Sequence, residues 1–193
     1  MESLMEKLLE RCMELSDGEE FVFSDGRMDS SIMLIGEAPG ENEVKLKRPF
    51  VGKAGKNLDE FISMLGIERD DMYITNAVKI RPHKLSLKTG KRINRSPSKA
   101  EVDKFRELVL EEIKLITPKI IVTLGNTPLK QLLQRDVRIG DVHGMLMYVE
   151  VGDKTYMLFP LYHPASIIYN RDLRQVYIDD LSRLREVIHG LGI

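Results

Sequence analysis

A carboxylate, an amide and an imidazole occur in this chain at the same kind of place, just after a short apolar run. Glu37 lies in the turn Gly36-Glu37-Ala38-Pro39-Gly40, which follows Ile32-Met33-Leu34-Ile35. Asn76 ends Met72-Tyr73-Ile74-Thr75, and His163 comes after Tyr156-Met157-Leu158-Phe159-Pro160-Leu161-Tyr162. An apolar run that breaks into such residues reads as a buried strand leaving into a tight loop. In α/β proteins the carboxyl ends of strands are where ligands bind. There a carboxylate can orient water or stabilise a cation, an amide offers a donor beside an acceptor, and an imidazole N–H can stabilise an anion. Each residue also has a plainer reading: an ordinary turn for the pentapeptide, a cap for Asn76, and a structural hydrogen bond for His163.

The elements that must position these residues alternate along the chain. An amphipathic helix is expected over 2–15, followed by the strand at 32–35 and a helix over 54–65 carrying Leu58, Phe61, Ile62 and Leu65. The strand at 72–76 leads into residues 82–97, which read as a long basic loop. Ser98-Lys99-Ala100-Glu101 is a capping box opening a long helix, and Lys119 to Leu124 is a fully apolar strand stopping at Gly125. Asn126 can cap the short helix that follows. Gly152-Asp153 marks a hairpin, and a last helix runs over about 172–189. Helices between apolar strands predict an α/β fold, a three-layer α/β/α arrangement with a mainly parallel sheet. With the strands parallel, Glu37, Asn76, Gly125 and His163 share one edge.

The 193 residues suit a single domain, 1–193. No apolar stretch is long enough for a membrane span. The N-terminal segment is too interrupted by Glu and Lys to be a signal peptide, so a cytoplasmic location is expected. The lone Cys12 excludes internal disulfides and cysteine-only metal sites. A formal charge of -1 hides an uneven distribution. Residues 1–30 carry nine acidic and three basic side chains, whereas residues 79–99 carry eight Lys or Arg and no acid. A second basic stretch includes Lys53 and Lys56. Local positive charge on a near-neutral protein suits a polyanion, and a solvated mobile loop gives the same pattern.

The ordered set Gly36-Glu37-Ala38-Pro39-Gly40, Arg48-Pro49-Phe50-Val51-Gly52, Thr75-Asn76 and His163-Pro164-Ala165 resembles the family 4 uracil-DNA glycosylases. The resemblance covers about residues 31 to 185, including Gly52-Lys53-Ala54-Gly55 and the strand from Pro118 to Gly125. It implies a base-excision repair hydrolase that flips uracil out of DNA and cuts its N-glycosidic bond, leaving an abasic site. By this resemblance Gly36, Glu37, Ala38, Phe50, Asn76 and His163 bind the base. Phe50 stacks on it, Asn76 reads its edge, and His163 stabilises the departing anion. Glu37 or Glu43 orients the water, since Ala38 stands where other branches carry Asp. Lys53, Lys56, Lys84, Lys91, Arg92 and Arg95 are expected to contact DNA. Ile167 or Ile168 is expected to fill the gap left by the flipped base. Phe50 also has a packing reading, the two isoleucines read equally as packing residues, and both glutamates as surface charges.

The chain departs from the family at its metal cluster. Family 4 members usually bind a four-iron, four-sulfur cluster through four cysteines, and the matching positions here are Cys12, Leu15, Ile80 and Phe105. A cluster needs its thiolates. No cofactor and no metal are therefore expected, and these residues should form a small core instead. DNA containing deaminated bases is the expected partner, with no membrane, and the chain is expected to be a monomer. Two other readings stay open: a nucleic-acid-binding module with weak or no catalysis, and a glycosylase for hypoxanthine or xanthine. A generic nucleotide-binding domain is disfavoured, because neither a phosphate loop nor Gly-x-Gly-x-x-Gly occurs.

Overall fold

The computed structural model describes residues 2–170 and 172–193. In chain order the elements are α1 (Glu2–Ser16), β1 (Ser24–Gly26), β2 (Ile32–Gly36), α2 (Glu41–Leu46), α3 (Lys53–Leu65), β3 (Tyr73–Asn76), β4 (His83–Leu85) and β5 (Arg92–Asn94). They continue with α4 (Lys99–Ile116), β6 (Ile120–Leu124), α5 (Asn126–Leu133), α6 (Ile139–Val142), β7 (Met147–Val151), β8 (Lys154–Leu161), α7 (Pro164–Tyr169) and α8 (Leu173–Gly190).

Six strands form one sheet in the order β1-β3-β2-β6-β8-β7. The four central strands are mutually parallel, and β1 and β7 close the edges antiparallel. Strand alternation sends neighbouring side chains to opposite faces. Ile32 and Leu34 pack with Phe61, Ile62, Tyr177 and Leu181 under α3 and α8. Met33 and Ile35 pack with Val109, Ile113 and Leu129 under α4 and α5. This is the expected three-layer α/β/α arrangement, and the parallel strands are largely apolar because both faces are covered.

Three local expectations change. Residues 82–97 are not a long loop: β4 and β5 pair antiparallel as a hairpin, with Lys84 opposite Ile93. Gly90 at φ 65° supplies the left-handed residue that closes its turn. Asn126 does not cap α5. Gly125 occupies that position, and the Asn126 side chain accepts a hydrogen bond from the Ile139 N–H at 2.8 Å. Strand β1 is missing from the pattern because Ser-Asp-Gly has no apolar periodicity; its pairing with β3 makes it a strand. The Ser98–Glu101 capping box is present as read.

The N-terminal helix packs on α4 over a third core of Leu8, Cys12, Val78, Ile80, Phe105 and Leu108, with Leu15 against it. Beside it Lys79 and Glu112 are fully buried as an ion pair. The same carboxylate accepts from Tyr73 at 2.9 Å and from Thr75 at 3.2 Å, so the pair carries its own hydrogen bonds. Thr75 precedes Asn76 directly, and this network anchors the end of β3.

Candidate active site

The carboxyl ends of β2, β3 and β8 open into a cleft of about 380 Å³. Its walls include Glu37, Ala38, Glu43, Phe50, Asn76 and His163. Gly36 and Asn76 are register partners at the ends of β2 and β3. A Cβ placed on Gly36 would fall 2.7 Å from Phe50 Cε2, and nearer still to Phe50 Cζ and Asn76 Oδ1. Glycine there lets the ring edge and the amide meet across the strand end. Gly125 acts similarly at the end of β6: its φ is 87°, and a Cβ would press to 3.3 Å from His163 Cβ.

Phe50 serves the core and the cleft wall together. It is only 7% exposed and belongs to the core cluster under α3, yet its ring also lines the cleft. The ring lies 6.0 Å from the His163 ring with 29° between the planes. Its backbone sits at φ 53°, a left-handed conformation that costs a non-glycine residue roughly 1–2 kcal/mol. The surroundings hold it there. Arg69 donates to the Pro49 carbonyl at 2.6 Å and pairs with Asp59 at 2.9 Å. The Gly52 N–H donates to Glu43 at 2.9 Å. Gly55 lets α3 close against the Phe50 carbonyl, which a side chain there would strike.

His163 caps α7, and its Nδ1 accepts from the Ala165 N–H at 3.1 Å. That bond assigns the ring proton to Nε2. Burial holds the imidazole below its usual pKa of 6.5, opposed by Glu37 and then Glu43. A neutral ring presenting Nε2–H follows. Glu37 Oε2 accepts from Thr127 at 2.7 Å, and Glu43 Oε1 is held by Gly52. Each carboxylate keeps a second oxygen for the cleft. Thr127, which holds Glu37 from α5, is a residue the sequence pattern did not single out. Asn94, which also lines the cleft, was hidden by reading 82–97 as a loop, and Arg95 was expected to contact DNA and not to line this cleft.

Residues 23–183 match the Uracil DNA glycosylase superfamily. The chain belongs to that superfamily. A type-4 uracil-DNA glycosylase of Sulfurisphaera tokodaii is 39% identical over 84% of this chain and 72% of its own. Another from Thermotoga maritima is 34% identical over 99% of this chain and 98% of its own. A third, from Archaeoglobus fulgidus, is 33% identical over 84% and 79%.

As a superfamily member the chain carries an altered cluster position. Cys12, Leu15, Ile80 and Phe105 do meet, but as the third core, with one thiol and three apolar side chains. Burial pushes the Cys12 thiol up to about 11. These residues do not fit an iron–sulfur cluster, which needs four deprotonated sulfurs. Among the described residues no three His, Cys, Asp or Glu stand together to hold a metal ion. No helix among them is long and apolar enough to cross a membrane.

The residues expected to meet DNA divide. Lys53 lies exposed at the mouth of the cleft, and Lys56 is exposed one turn along α3. Lys84, Lys91 and Arg92 are exposed on the hairpin. Arg95 lines the cleft, but both of its terminal nitrogens bind Glu101 at 2.7 Å, so it anchors the hairpin. Ile167 is 6% exposed and belongs to the core cluster with Leu161 and Tyr177, the packing alternative of its two readings. The side chain of Ile168 lies outside the described residues.

Proposed function

We propose that this chain is a uracil-DNA glycosylase of base-excision repair, hydrolysing the bond between uracil N1 and deoxyribose C1′ after the nucleotide flips into the cleft. The observation that carries the reading is the meeting of Phe50, Asn76 and a neutral His163 at one sheet edge, in a chain of this superfamily.

In the proposed complex the Asn76 amide oxygen accepts from uracil N3–H and its NH2 donates to O4. Cytosine reverses both groups, which leaves buried polar atoms unpaired and rejects it strongly. As the glycosidic bond breaks, its electron pair passes to the base. His163 Nε2–H then donates to O2, where that negative charge gathers. Phe50 closes one wall against water. The sugar is left cationic, and Glu37 and Glu43 offer their second oxygens to that cation and to the attacking water. Ala38 brings no carboxylate, so these two acids carry the role between them. A monomer acting as one domain is the proposed form. DNA containing deaminated bases is the proposed partner, and the cytoplasm the proposed location.

The test uses labelled oligonucleotides containing uracil, hypoxanthine or xanthine, with alkali to cut abasic sites. Uracil release is expected, falling about 10²–10³-fold in His163→Ala and strongly in Asn76→Ala. Salt-sensitive binding without release from any base would refute the enzymatic reading. Release of hypoxanthine or xanthine in preference to uracil would reassign the substrate.

A further inference from the structure

We propose that the hairpin β4–β5 is a duplex-binding ribbon, lying in a groove of the DNA beside the flipped nucleotide with Leu87 against the bases. The inference rests on the glycosylase reading for its substrate and goes beyond it in assigning a role to an element rooted at the cleft's rim.

The root of the hairpin is fixed to the cleft. Pro82, Asn94 and Arg95 line it. Arg81 donates to Asn94 at 2.8 Å and to Glu41 of α2 at 3.2 Å, and Arg95 grips Glu101. Two of the local cations are thus consumed in holding the ribbon to the rim. Four others, Lys84, Lys88, Lys91 and Arg92, make no ion pair among the described residues, and no acid occurs between residues 79 and 100.

The hairpin also exposes apolar side chains. Leu87 is 104% exposed at the turn, Leu85 is 65% exposed and Ile93 is 41% exposed. Leucine and isoleucine among cations match the side chains that proteins press between base steps, flanked by phosphate contacts. A two-stranded ribbon also fits a major groove. A protein partner would have to bring matching acids to this face. DNA brings its phosphates as a matter of course, and the cleft on which the ribbon is rooted is the one that takes the base.

Three strand residues and a turn reach on the order of 10–15 Å from the rim. At about 3.4 Å per base step, Leu87 meets the duplex roughly three or four base pairs from the flipped nucleotide. A single strand has no groove at that distance. The ribbon therefore favours duplex over single-stranded substrate.

The experiment compares uracil release from single-stranded and duplex oligonucleotides of one sequence. Leu87→Ala is expected to lower the duplex to single-strand rate ratio about tenfold or more, and Leu87→Met to restore it. Replacing Lys84, Lys88, Lys91 and Arg92 by Ala is expected to flatten the slope of log affinity for duplex against log salt by about 3 to 4. An unchanged ratio in Leu87→Ala, or equal losses on both substrates, overturns the proposal. An unchanged slope overturns it too. Should the native protein release no uracil from either substrate, the glycosylase reading fails separately, and the salt slope of duplex binding still tests the ribbon.

Discussion

Gly36→Ala puts one methyl group where the site has no room for it. The new Cβ would lie 2.7 Å from Phe50 Cε2, with Phe50 Cζ and Asn76 Oδ1 closer. Ordinary carbon contacts begin at about 3.5 Å, so the ring, through its Cζ, and the amide must each retreat by about 1 Å. Neither retreat is free. Phe50 is held in the core by the Arg69 and Gly52 hydrogen bonds, and Asn76 by its strand register and the network next to it. A misplacement near 1 Å in a positioned site costs about 10²-fold in rate. Overpacking of this kind costs about 1–3 kcal/mol of stability. At this chain length that lowers Tm by about 2–4 °C per kcal/mol. Single-turnover uracil release from a single-stranded oligonucleotide, beside a thermal melt, separates the two effects. The expected result is a rate about a hundredfold lower in protein that remains folded at the assay temperature. Native release rates in Gly36→Ala would refute the view that Asn76 and Phe50 work at their present positions.

Three further outcomes follow. Uracil release should fall as pH drops below 6.5, because protonating His163 removes the Nδ1 acceptor of its cap, and the acid limb should sit below 6.5 because burial lowers its pKa. Stability moves the same way: with the folded value lowered, the His163 contribution is complete above 6.5 and is lost as the unfolded chain takes up the proton below it. An acid limb above 7, followed by kcat/KM across pH, would contradict a neutral buried imidazole. Lys79→Met leaves Glu112 buried without its cation and should cost about 3–5 kcal/mol in denaturant unfolding. Burial already raises the Glu112 carboxyl above its usual value. Without Lys79 it folds protonated, a stability that is present at low pH and lost as pH rises through the raised value, so the deficit should be larger at pH 8 than at pH 5. Protein prepared without oxygen should carry no stoichiometric iron and no visible absorbance band; either would show that the third core opens to hold a cluster.

Much of this protein can be read along the chain because its elements announce themselves locally. The run Ile32 to Ile35, the strand before Gly125 and the Ser98–Glu101 box each carry period, burial and termination within a few residues. The order of these elements was enough to predict a parallel sheet, and with it the meeting of Glu37, Asn76 and His163. Strand ends in register bring distant residues together without any contact between their side chains being foreseen.

Tertiary structure decided what depends on neighbours remote in sequence. Phe50 is both wall and core because α3 closes over its carbonyl through Gly55, and nothing in Arg-Pro-Phe-Val-Gly states that. Ile167 fell to the core, since the helix that follows β8 turns that side chain onto Tyr177. The short hairpin exists because two three-residue segments pair across a glycine turn, a signal too weak to see among eight cations. Most of all, the opening pentapeptide carries its glycine for a reason outside itself. Residue types along the chain determined which groups are available, while packing at the strand ends determined that only a residue without a side chain could let them meet.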